Sequence, residues 1–186
     1  MPQIRSLFAA ALLSPAVAFA QPAGAPQLQT PASIHAEHQE IHRRLERATG
    51  EPGELGAAAR ALGEQLDPHF RREEQIATPP LGLLVPLSRG RVTADMRAVL
   101  PLTQALEREL PRMLEEHRRI GAARERFEAA ARRAGRADYV RLAETLGQHA
   151  KQEEEVLYPA AILVGRYVAA RAPLAPHDRV SAPRDR

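Results

Sequence analysis

The segment HFRREE (69–74) returns eighty positions later as HAKQEE (149–154), and a proline follows each at the same distance, Pro79 and Pro159. The chain has only seven histidines, so two of them in matching frames constrain the fold more than any other feature. Residues four apart on an α-helix differ by about 40° in direction and about 6 Å in height. His69 and Glu73 therefore present an imidazole and a carboxylate to one point, and His149 and Glu153 do the same. The frame extends further: EHQEI (37–41) matches EHRRI (116–120). The offsets are 79 residues for His38 to His117 and 80 for His69 to His149 and for Glu73 to Glu153. This pattern predicts a duplicated helical hairpin, each copy carrying one histidine and then one His-x-x-x-Glu.

Composition agrees with an all-α protein. Aromatic residues make up 4% of the chain, tryptophan is absent, and Ala, Leu, Arg and Glu dominate, a mix that suits helices packed through Leu and Ala. Apolar spacing predicts a first helix over 34–48, capped by Ser33, with Ile34, His38, Ile41 and Leu45 on one stripe. A second runs over 54–77 with Leu55, Leu62 and Leu66 inward and a kink or restart at Pro68. The apolar connection TPPLGLLVPLSRGRV (78–92) is expected to lay Leu81, Leu83, Leu84, Val85 and Leu87 over one bundle end. A third helical region spans 93–134, bent near Pro101 and Pro111 and closed by Gly135. The fourth starts near Ala137, and Pro159 either kinks it or opens a last segment ending at 171. Four helices on moderate connections predict an up-down-up-down four-helix bundle over 33–171.

The ends read differently. Residues 1–20, MPQIRSLFAAALLSPAVAFA, have one basic residue, a short apolar run and Ala18-Phe19-Ala20 before Gln21, the build of a secretory signal peptide. The run is broken by Pro15 and falls short of the roughly 20 residues a membrane span needs. The expectation is export, to a periplasm or the medium, with no stable membrane insertion after cleavage. Residues 21–32 read as a Pro/Gly/Gln linker and 172–186 as a disordered tail. Cysteine is absent, which excludes disulfides and thiolate ligands. All 26 basic residues but Lys151 are arginines, and they alternate with glutamates in stretches such as ALERELPRMLEEHRR. Solvated helix faces with i,i+4 pairs account for that pattern; nucleic-acid binding needs a stripe of one sign with stacking aromatics.

Closing the duplicated hairpins would bring His38, His69, His117 and His149 together with Glu73 and Glu153 in the bundle centre. Burying so many polar groups is costly unless something pairs them, and a metal ion does so. Nitrogen and oxygen donors without sulfur suit iron, zinc or manganese, and six donors exceed what one tetrahedral zinc takes. Two metals bridged by Glu73 and Glu153, with histidines as terminal ligands, use every group. His35 lies on the same broad face as His38 and is read as exposed or beside the site, and His177 falls in the tail. Glu74, Glu154 and Glu155 read as solvated charges, one of which could hydrogen-bond a ligand histidine. Tyr158 has Thr78 as its counterpart in the first copy, so symmetry assigns it no shared role.

His38, His69-x-x-x-Glu73, His117 and His149-x-x-x-Glu153, on four successive helices, resemble the hemerythrin-like HHE cation-binding domain over about residues 33–160. PPLGLL and EEEVLYPAAILVG look like its bacterial members. The resemblance implies a four-helix bundle around a non-haem di-iron centre (Fe2+/Fe3+) with carboxylate and oxo or hydroxo bridges. Members of that family carry oxygen, sense oxygen or nitric oxide, or handle iron. The oxygen carriers have five histidines, two of them one turn apart on the third helix. Here that helix offers only His117, with Gly121 four residues on and Met113 four back, whereas the first helix has His42 four residues after His38. His42 is therefore a candidate for a fifth histidine supplied by the opposite half, its alternative being a partner beside the ligands. The carriers' last helix uses an Asp five residues after its histidine; here Glu153 comes at four and Glu154 at five, and Glu153 is taken as the ligand with Glu154 as its fallback. The implied function is an exported di-iron protein binding O2 or NO, more a binding protein than an enzyme, its reductant unidentified. The alternatives are storage or delivery of iron or another divalent cation, and a plain helical interaction module.

Overall fold

The computed structural model describes residues 28–173, and the signal-peptide reading, most of the linker and the tail from 174 onward, His177 included, lie outside them. Among the described residues every regular element is helical. Helix α1 spans Ala32–Thr49 and α2 Gly53–Ile76. A 3₁₀ turn (Pro79–Leu83), the short α3 (Leu84–Ser88) and a second 3₁₀ turn (Ala94–Val99) lead into the long α4, Leu100–Arg133. Helix α5 (Ala137–Gln152) runs through a π-helical turn (Glu153–Leu157) into α6, Tyr158–Arg171. The result is a helical bundle in which α2 packs on α1 and α4, and α4 packs on α5 and α6.

Several expectations shift at the helix ends. Pro31 precedes α1 and no side chain caps it, so Ser33 lies inside the first turn. Helix α2 passes through Pro68 without a restart; the proline is exposed, so its ring and missing N–H fall on the outer face. Pro101 occupies the first turn of α4, where no intrahelical N–H is needed, and α4 continues through Pro111. Gly135, at φ 67°, ends α4 while Arg136 N–H donates to Ala131 O at 2.9 Å, a closure that favours glycine. In the 78–92 connection Leu81 and Leu83 are buried, but Leu84 and Val85 are exposed. The ends of the described chain are packed: Leu28 and Ala172 both join a small core with Leu83, Met96, Val99, Val164 and Val168, and Thr30 Oγ1 lies 2.6 Å from Thr78 Oγ1.

Two apolar layers dominate the interior. The larger contains Ile41, Leu45, Leu62, Leu66, Phe127, Leu142 and Leu146. The other contains Ile76, Leu81, Leu106, Met113, Tyr158 and Ala161, with Ile34 against it. Every long helix passes from one layer to the other, and the polar residues His38, His69, Glu73, His117, His149 and Glu153 are buried at the passage. The arginines and glutamates pair on the outer faces, as in Arg112–Glu116 and Arg124–Glu128, both 2.8 Å and i,i+4. Such exposed pairs contribute a few tenths of a kcal/mol each. No helix among the described residues is long and apolar enough to cross a membrane.

Helix α6 lies close against α4 at Gly165, where an added Cβ would stand 2.1 Å from Thr103 Oγ1 and 2.6 Å from its Cβ. Gly121 in α4 has nothing within 4 Å of that position. Gly165→Ala should therefore destabilise by about 1–3 kcal/mol through overpacking, while Gly121→Ala should stabilise by about 0.5–1 kcal/mol through helix propensity. Thermal and urea unfolding of the two variants measures the contrast; equal effects would contradict the close approach.

Candidate metal centre

Each long helical segment delivers its polar residues to the same layer. Helix α1 supplies His38, α2 supplies His69 and Glu73, α4 supplies His117, and α5 with its π turn supplies His149 and Glu153. Their inner atoms converge. His149 Nε2 is 2.8 Å from Glu153 Oε1, and His117 Nε2 is 3.4 Å from Glu153 Oε2. His38 Nε2 is 3.5 Å from Glu153 Oε1 and 3.9 Å from Glu73 Oε2, while His69 Nε2 is 3.5 Å from Glu73 Oε1. Two groups of donors lie close enough to hold a cation: His69, Glu73, His117 and Glu153 in one, and His38, His149 and Glu153 in the other. Glu153 is common to both.

The outer nitrogens complete the arrangement. His38 Nδ1 is 3.4 Å from Glu74 Oε1, and His69 Nδ1 is 3.0 Å from Glu116 Oε2. His117 Nδ1 is 2.7 Å from Glu154 Oε1, and His149 Nδ1 is 3.2 Å from Glu37 Oε1. An ionised carboxylate only accepts hydrogen bonds, so each Nδ1 carries a proton, and in the neutral imidazole the Nε2 lone pair faces the centre as a ligand atom. Metal-ligating histidines are held in this way, with the second nitrogen on a carboxylate. Glu74 and Glu154 thus do more than face solvent. Glu37 and Glu116 were identified only as part of the repeated Glu-His dipeptide, whose repetition was the signal for them.

Five buried inner atoms have no hydrogen-bond partner among the described residues: His38 Nε2, His69 Nε2, Glu73 Oε2, His149 Nε2 and Glu153 Oε1. Natural interiors rarely leave such groups unpaired, and a nitrogen–oxygen donor set of this kind fits a divalent or trivalent cation. Tyr158 is a member of the site that sequence reasoning missed. It is buried, its hydroxyl hydrogen-bonds Glu73 Oε1, and its oxygen lies 3.3 Å from His117 Nε2. His42 stands apart from both groups. Its side chain is 43% exposed and its Nδ1 lies 3.2 Å from Asp67 Oδ1. The Phe70 ring stacks on His38 at 4.1 Å and meets His42 edge-on at 5.4 Å, so it occupies the space between them. His35 is exposed, with Nδ1 3.3 Å from Glu74 Oε1.

The charges in the cluster are mutually dependent. Burial alone would push His69 down, but hydrogen bonds and charge from Glu73, Glu116 and Glu153 outweigh it and raise its pKa to about 9. His117 and His149 are likewise raised, against the opposing effect of burial, chiefly by the adjacent Glu153 carboxylate. Glu73 is raised by burial and by the charge of Glu153. Burial opposes ionisation of Glu153 too, yet the imidazoles of His117, His149 and His38 around it hold it well below the usual carboxylate range.

Fold and site together define an all-helical protein with a buried His/Glu cluster built to hold cations. The chain matches the model of the hemerythrin HHE cation-binding domain over residues 30–161, and it belongs to that family. Comparisons with curated proteins and with solved structures give no match.

A cation must displace protons from these imidazoles, so affinity should rise with pH between about 6 and 9 and uptake should release protons. The metal-free protein should show the opposite trend. The folded pKa of His69 lies above its ordinary value of 6.5, so its stabilisation is complete below pH 6.5 and is lost as pH rises through about 9. Thermal unfolding in chelator at pH 6 and pH 9.5, beside calorimetric metal titration at the same pH values, should reveal the two slopes with opposite signs.

Proposed function

We propose that the cluster holds two iron ions and that the loaded centre binds a small diatomic molecule, O2 or NO. The reading rests on one observation above all: five bare, buried ligand atoms converge between two pairs of histidines, with Glu153 common to both donor groups. The residues that would hold them are His38, His69, His117 and His149 with Glu73 and Glu153, of which Glu153 is shared by both donor groups; Mn or Zn suit the same donors. When bound, iron supplies a redox-active centre with open positions for a small ligand. The chain's own residues do the rest. Glu37, Glu74, Glu116 and Glu154 fix the imidazole rings, and the apolar layers on either side keep bulk water out. His42, exposed and beside Asp67, is outside the donor set on this reading. Four histidines and two glutamates leave more open positions than the same set with a fifth histidine would, which favours oxidation or nitric-oxide chemistry over reversible carriage.

The fold on this reading is an up-down-up-down bundle of two duplicated hairpins over 33–171. Its support is the order of layers along each helix. Residues 34, 38 and 41 of α1 run from the smaller layer through the site to the larger, as 113, 117 and 120 do in α4; α2 and α5 run the other way. The Nδ1 braces repeat as well, since Glu74–His38 corresponds to Glu154–His117 and Glu116–His69 to Glu37–His149. Export rests on the signal-like segment 1–20. The second reading is storage or delivery of iron or another divalent cation without turnover, favoured by the partly exposed carboxylates of Glu37, Glu74 and Glu154, which lead from the surface to the histidines.

Metal analysis after expression with added iron should find two irons per chain, and absence of iron, manganese and zinc would remove the metal reading. The ferrous protein should change its optical spectrum with O2 or NO; indifference to both favours storage. Glu153→Ala should bring the metal content below one, because it serves both groups, and His42→Ala should leave content and spectra unchanged. Altered spectra in His42→Ala would return that residue to the ligand set.

A further inference from the structure

Tyr158 breaks the near-equivalence of the two halves at the point where it matters most. Its counterpart eighty residues earlier is Thr78, whose hydroxyl points elsewhere, to Thr30 Oγ1 and to the Glu73 carbonyl oxygen. The Tyr158 hydroxyl has one proton and two acceptors beside it, Glu73 Oε1 and, 3.3 Å away, His117 Nε2. Its ring lies nearly parallel to that of His117, at 19° with centroids 5.7 Å apart, and the residue is 1% exposed. No water competes for it there, and the hydrogen bond to the Glu73 carboxylate is of the charge-assisted kind. Among the described residues only Glu73 of the two glutamates receives a hydroxyl; those beside the Glu153 carboxylate are histidines.

We propose that Tyr158 is a positioning residue that commits Glu73 to the His69–His117 donor group, so that the two cation positions fill in order instead of together. The inference rests on the reading of the cluster as a two-metal centre. The four-donor group, His69, Glu73, His117 and Glu153, fills first. The three-donor group, His38, His149 and Glu153, fills second, because Tyr158 draws Glu73 away from it. Glu73 Oε2, bare and 3.9 Å from His38 Nε2, is the atom this commitment leaves short of the second position. The hydroxyl keeps its proton throughout and acts through Glu73, not as a ligand.

The test is a titration of the full-length, metal-free protein with cobalt(II), followed by calorimetry and by visible absorption. Wild type should take up two equivalents in two resolved steps. Tyr158→Phe keeps the ring and removes the hydroxyl. It should weaken the first step by about tenfold to a hundredfold, the usual effect of losing a hydrogen-bond partner of a ligand, and so bring the two steps together. His38→Ala should keep the first step and lose the second, and His117→Ala should lose the first; a purely structural role for Tyr158 would shift both steps alike. Two equivalents in one unresolved step in wild type would overturn the ordering and leave the metal reading intact, whereas no uptake by wild type would overturn both. An intense visible band in ferric wild type that Tyr158→Phe abolishes would also overturn the proposal, since the oxygen would then be a ligand that has given up its proton.

Discussion

The structure depends on six polar side chains turned inward at mid-bundle, where water does not reach them. Each bare buried polar atom costs about 1–3 kcal/mol, and five of them converge here. Together they approach the whole stability of an ordinary domain, about 5–15 kcal/mol. A bundle with this interior is stable only if its apolar layers are well packed on both sides and the polar layer has a partner. The first condition is met by Phe127, Leu62, Leu66 and Leu142 on one side and by Leu106, Met113 and the Tyr158 ring on the other. A cation would meet the second, and the layer that would give the protein its chemistry would then also relieve the largest debt in its fold.

The matched prolines acquire a reason in this setting. In both halves the carbonyl oxygen of the inner glutamate accepts from the N–H five residues on: Thr78 to Glu73 in one, Tyr158 to Glu153 in the other. The next residue, Pro79 or Pro159, has no N–H to donate, which eases the departure from regular α-helical bonding. In the first half the helix stops there and a 3₁₀ turn follows; in the second, the π turn absorbs the extra residue and α6 continues. The same local device thus yields a terminus in one copy and a bulge in the other, and the bulge carries Tyr158 over the cluster.

Much of this was legible in the sequence because helical spacing and chemical cost act together. His-x-x-x-Glu marks one face of a helix, and a second copy in register implies a meeting point, so the six inner residues could be named without coordinates. Tyr158 was not legible, because comparison with Thr78 gave no hint and one extra residue in a π turn rotates everything after it. The place of His42 depended on Phe70, whose ring fills the way inward while Asp67 offers a partner outside. Periodicity puts His42 on the site's side of α1 but says nothing about what stands between. The start of α1 differs from the expected Ser33 cap for a local reason: Pro31 precedes the helix with no capping side chain, a case in which the preference for Ser at an N-cap is overridden.

Near-symmetry and function meet in the two aromatic rings behind the cluster. His38 and His117 occupy corresponding places, and each is backed by a ring: Phe70 stacked at 2° on His38, and Tyr158 at 19° on His117. The rings come from different elements, α2 and α6, so the packing need is the same while the source differs. One ring is wholly apolar and excludes a nearby histidine; the other brings a hydroxyl to Glu73. A site built from two copies of one motif would bind two cations alike, whatever their identity. On the two-cation reading, backing one histidine with Phe and the other with Tyr would make the positions chemically distinct without disturbing the helices that present them.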